Sequence, residues 1–118
     1  MSSSLFGVAF DCADAAVLAR FWAGVLGRQV AEDPTSERAV LLAGQGDSTG
    51  PPITFNKVPE TKSVKNRLHL DLISRTFDAE TERLLSLGAQ RLHDMQAGKT
   101  RWTTFADIEG NEFDLIAG

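Results

Sequence analysis

Residues 5–27 read LFGVAFDCADAAVLARFWAGVLG, and this stretch decides the fold. Residues 5–13 are short, apolar and aromatic, with imperfect alternation. That pattern predicts a strand covered by a helix on one side. Asp14 stands where a helix N-cap belongs, because its carboxylate can accept a free amide of the first turn. Val17, Leu18, Phe21, Trp22, Val25 and Leu26 then recur at spacings of three and four, which makes one broad apolar stripe. Gly27 follows as a C-terminal cap, so the helix is predicted over about 14–26. Trp22 lies in the stripe and reads as core. Cys12 reads as a small buried side chain, since cysteine is commonly buried.

Beyond Gly27, strands are predicted at 28–32, 38–43 and 53–58. The run GQGDSTGPP at 44–52 reads as a surface loop. It lacks the spacing and following helix of a phosphate loop. The second half repeats the order. LHLDLI at 68–73 alternates, with Leu68, Leu70 and Leu72 on one face and His69 and Asp71 on the other. FDAETERLLSLG at 77–88 predicts a helix with Phe77, Leu84, Leu85 and Leu87 as its apolar members and Gly88 as its cap. Strands follow at 90–93, 102–106 and 113–117. They are separated by turns at DMQAGK, which puts His93 at the start of a solvated turn, and at DIEGN. The order is βαβββ twice, at 5–58 and 66–117, within one domain spanning 1–118. This predicts an α+β fold of paired βαβββ modules. Eight strands would form a curved mixed sheet around a cleft, with the helices outside and any site in the cleft.

Bulk properties narrow the function. Of 118 residues, 42% are hydrophobic and 24% charged, which is ordinary for a folded domain. The net charge of −4 gives no electrostatic basis for binding nucleic acid or an anionic membrane. One cysteine allows no intrachain disulfide. The start, MSSSLFG, lacks the features of a signal peptide, and no apolar run is long enough to span a bilayer. A cytoplasmic protein is expected.

The spans LFGVAFDCAD, ARFWAGVLG, ITFNKVPETKSVKNRLHLDL and TFADIEGNEFDLI together resemble the vicinal oxygen chelate superfamily, in its glyoxalase-like and bleomycin-resistance-like branch. The resemblance runs over about residues 5–117. It implies four inward-facing ligand positions, occupied here by Gly7, Asn56, His69 and Asp114. Gly7 has no donor, so the metal set it implies is Asn56, His69 and Asp114. One imidazole, one carboxylate and an amide approximate a loose facial triad for Fe, Mn or Ni, without the second histidine. His69 and Asp114 are the candidate catalytic pair, because imidazole titrates near neutrality and a carboxylate can orient it. Gly7, Ala9, Asp11, Asp71 and Trp102 are the candidate substrate contacts. Glu112 shares the inward phase, while Phe55 and Phe113 point to the helix side as core.

Three readings follow. The first is a glyoxalase-like protein that binds a small molecule in its cleft, with no cofactor demanded. The second is a lyase, isomerase or dioxygenase that uses a divalent metal on a substrate with vicinal oxygens. The third is a non-catalytic partner-binding or dimerisation module. The resemblance also implies a homodimer. The fold hosts many chemistries, so it leaves open whether the protein is an enzyme.

Overall fold

A computed structural model describes residues 2–46 and 49–118. They form two compact units that meet in sequence at Thr61 and Lys62. The elements are β1 Val8–Cys12, α1 Ala15–Leu26, β2 Arg38–Leu41 and β3 Ile53–Lys57 in the first unit. The second holds β4 Leu70–Ser74, α2 Phe77–Leu87, β5 Gln90–Ala97, β6 Thr100–Ala106 and β7 Glu112–Ala117. The class is α+β, as expected.

In the first unit the sheet order is β1-β3-β2, with β1 parallel and β2 antiparallel to β3. α1 begins at Asp14, whose Oδ1 accepts the Val17 amide at 3.2 Å, and ends at Gly27 with φ 64°. Its stripe packs on the sheet through Trp22 and Leu18, both essentially fully buried. Phe10 bridges the two layers, with ring centroids 5.7 Å from Trp22 and 5.3 Å from Phe55. Val17 lies outside the stripe and is 47% exposed. Cys12 is buried as expected.

The segment predicted as a strand at 28–32 is reduced to a single bridge, Val30 to Leu41. Two backbone bonds flank it, from Ala31 N to Val40 O and from Leu42 N to Gln29 O. Asp33 then takes φ 59° immediately before Pro34, and this turn carries the chain out of register. The described residues therefore hold seven strands in two sheets, of three and four strands, rather than eight in one. Of the loop at 44–52, Asp47 and Ser48 lie outside the described residues.

The second sheet runs β4-β7-β6-β5, with β4 and β7 parallel and the other pairs antiparallel. α2 covers one face. Its Leu84 and the strand residues Phe105, Phe113 and Leu115 are fully buried, and Phe105 stacks on Phe113 at 5.5 Å. Leu87, expected in the apolar stripe, is 37% exposed, whereas Thr81 is buried. β5 reaches Ala97, so most of the run read as a turn, DMQAGK, is strand and only Gly98 and Lys99 turn the chain. A polar edge strand carries no apolar period of its own, and the pairing with β6 is what makes it a strand.

Candidate functional site

Strand alternation divides the second sheet into a face under α2 and a face without a helix. Register places Asp71 beside Asp114, Asp114 beside Thr104, and Thr104 beside His93. These four form one polar row on the helix-free face. Two residues along, the next row is Ile73, Ile116, Trp102 and Met95. Ile73 is 72% and Met95 45% exposed, while Ile116 and Trp102 are half-buried. Rows two residues apart are separated by roughly 6.6 Å, so the polar and apolar groups are close neighbours.

At the polar end, His69 precedes β4 and its Nδ1 lies 2.9 Å from Asp71 Oδ1 and 3.9 Å from Asp114 Oδ2. The Thr104 hydroxyl donates to Asp114 Oδ1 at 2.6 Å, which leaves Oδ2 directed to the imidazole. One ligand atom from each of His69, Asp71 and Asp114 lies within 4.8 Å of the others. The donor chemistry is one imidazole and two carboxylates, a set suited to Mn or Fe(II). Thr104 would hold one ligand from behind, as groups outside the metal shell commonly do.

The strap before β4 is tied to the start of β7. Asn66 Oδ1 accepts the Glu112 amide at 2.9 Å, Asn66 N donates to Glu112 Oε2 at 2.9 Å, and Asn66 Nδ2 donates to Asn111 at 3.3 Å. Lys62 Nζ lies 3.4 Å from Glu112 Oε1. Burial pushes the Glu112 carboxyl up, but the Asn66 amide, its own amide and Lys62 together hold it below its usual value. Asp107 is buried and closes the DIEGN turn, accepting from Glu109 N and Asn111 N at 2.9 Å each. The clamp joins two stretches far apart in sequence, KNRLHLD at 65–71 and DIEGNEF at 107–113.

The predicted residues are thus partly assembled. His69, Asp71 and Asp114 meet, and Trp102 lies one row away. Asp71, read as a substrate contact, joins the ligand cluster. Asn56 belongs to the first unit, where it pairs beside Asp11 on the helix-free face of β3 and β1, next to Ala9 and Thr54. Gly7 immediately precedes β1. A Cβ there would lie 3.0 Å from Pro52 O, because Val8 N already donates to that carbonyl at 3.1 Å. Thr104, His93 and Met95 were missed. The alternation of WTTFA would have exposed Thr104, whereas His93 stood at the end of the strand read at 90–93 and Met95 fell in the stretch read as a turn. His93 is exposed as expected, and the strand continues past it to Ala97 instead of turning there.

The chain matches the glyoxalase-like domain family over residues 7–116. It belongs to that family. This glyoxalase-like chain is similar in fold to the fosfomycin resistance protein FosX from Listeria monocytogenes, solved with Mn(II) and 1S,2S-dihydroxypropylphosphonic acid. The TM-score is 0.79 at 19% identity, covering 100% of this chain and 92% of that one. FosX from Mesorhizobium loti gives a TM-score of 0.75 at 19% identity, covering 100% and 94%. A glyoxalase/bleomycin resistance protein/dioxygenase family enzyme from Burkholderia phytofirmans gives 0.74 at 18% identity, covering 98% of each chain. These likenesses show that the fold is shared. No curated protein matches the sequence. Among the described residues, no helix is long and apolar enough to cross a membrane.

Proposed function

We propose that this glyoxalase-like chain binds a small molecule on the helix-free face of its second sheet. The ligand's polar end is held by His69, Asp71 and Asp114. The observation that supports this is the polar row beside an exposed apolar row, the composition of a ligand surface with a few convergent polar groups. Covering Ile73 and Met95 offers about 1.5–3 kcal/mol for each side chain fully buried. The test is a fragment screen followed by amide NMR shifts. Ligands should move Asp71, Thr104, Trp102 and Ile116 as one group, and hits that cluster elsewhere would refute the reading. The same reading includes a homodimer, which sedimentation at twice the chain mass would support.

A second reading is favoured by the three ligand atoms within 4.8 Å. Here His69, Asp71 and Asp114 hold a divalent cation, which would polarise a substrate oxygen and stabilise developing negative charge. The relative from Listeria was solved with Mn(II). Thr104 would orient Asp114, and Asn56 would not be required. Calorimetric titration of metal-stripped protein with Mn(II), Ni(II), Zn(II) and anaerobic Fe(II) tests this. One-to-one binding at micromolar or tighter affinity, lost in His69→Ala, supports it. Binding that is absent or unchanged in the variant excludes it.

A further inference from the structure

We infer that the ligand of the second sheet carries a cationic head and an apolar body. The inference rests on the metal-free reading above and goes beyond it by naming the ligand class. It starts from how the sheet sorts its charges. The strands β4 to β7 contain two arginines, and both point to the α2 side. Arg91 pairs in register with Phe105, and its guanidinium binds Asp94 at 2.9 Å. Arg101 lies 4.4 Å over the Phe77 ring and 3.4 Å from Asp78.

The helix-free face keeps the carboxylates of Asp71, Asp114 and Glu112, with the imidazoles of His69 and His93. Among the described residues, Glu112 faces Lys62, whereas Asp71 and Asp114 face the His69 imidazole and pair with no Lys or Arg. Lys65, Arg67 and Arg75 lie beyond the strands, Lys99 is in the β5–β6 turn, and Arg83 is bound to Glu80 on α2. An anionic head would meet Asp71 and Asp114 with no Lys or Arg of β4 to β7 on that face to offset them. An ammonium head would complement both. The phosphonic acid bound by the Listeria relative has the opposite charge.

The row spacing sets the shape of the ligand. A head between Asp71 and Asp114 stands roughly 6.6 Å from the row of Ile73, Ile116, Trp102 and Met95. A phenyl ring joined to an ammonium by three carbons spans that distance. A flat ring on Trp102 also gains stacking.

The experiment uses the full chain, stripped of metal, with three probes of equal length: 3-phenylpropylamine, 3-phenylpropanol and 3-phenylpropanoate. Binding is read by amide NMR shifts and Trp fluorescence. The amine should bind about tenfold more tightly than the alcohol, and the propanoate most weakly. That advantage should shrink as salt rises from about 20 mM to about 500 mM, where screening shortens the reach of charge. Asp71→Asn and Asp114→Asn should each weaken the amine several-fold more than they weaken the alcohol. A preference for propanoate or alcohol, metal-free or with Mn(II) added, would overturn the cationic head while keeping a ligand on this face. No shift on this face with any probe would overturn both.

Discussion

Thr104→Val tests the part of the site that sequence reading missed. The substitution keeps the side-chain shape and removes one hydroxyl. That hydroxyl is buried, with Thr104 8% exposed, and it donates to Asp114 at 2.6 Å. Hydrogen bonds to charged groups contribute about 1.5–3 kcal/mol. The Asp114 side chain is 18% exposed, so water recovers part of the loss and the lower end applies, about 1.5–2 kcal/mol. At an m-value of about 2 kcal/mol/M, the urea midpoint should fall by roughly 0.8–1 M. Asp114→Asn and the double variant complete a thermodynamic cycle. The coupling should reach about 1 kcal/mol, because each variant removes the same bond. Metal or ligand affinity should weaken as well, since Asp114 is free to turn from His69. A midpoint shift below about 0.3 M with negligible coupling would refute the claim that Thr104 holds Asp114.

Three further outcomes follow from the same contacts. Asn66→Ala removes two side-chain bonds at the strap and should cost about 1–3 kcal/mol, with faster hydrogen exchange at the Glu112 amide; unchanged exchange would show that the strap is held elsewhere. Glu112 has a folded pKa below its unfolded value, so the unfolded chain binds more protons in acid. Its stabilisation is complete above about pH 4.3 and is lost as pH falls through the folded value, so urea midpoints of Glu112→Gln should fall less steeply in that window than those of the wild type. Gly27→Ala should lower stability by about 1–2 kcal/mol through its φ of 64° alone, since no heavy atom lies within 4 Å of the added Cβ; thermal melting checks this.

Reading order from sequence worked where burial and period coincide. α1 emerged within one residue of its predicted start because Asp14, the apolar stripe and Gly27 all agree. The alternation of LHLDLI set Asp71 apart from Leu70 and Leu72, and that of NEFDLIA set Asp114 apart from Phe113, whereas Leu68 and His69 lie before β4 and Leu68 is exposed. Local signals failed at 28–32, read as a strand, where the turn at Asp33 ends pairing. They failed again at β5, which is exposed along its whole length and owes its shape to β6.

What the sequence by itself determined is therefore the class, the order of all but one of the elements, and the side of β4 and β7 that carries polar groups. These depend on contacts between neighbours in the chain. Only the tertiary structure decided which strands stand beside one another. β4 and β7 are adjacent and parallel though more than 35 residues separate them in sequence. That pairing brings Asp71 to Asp114, and β6 then brings Thr104 to Asp114. Register between distant strands is chosen by the packing of the buried face, where Leu70, Leu72, Phe113 and Leu115 lie under α2. The polar face follows from that choice, and no local pattern encodes it.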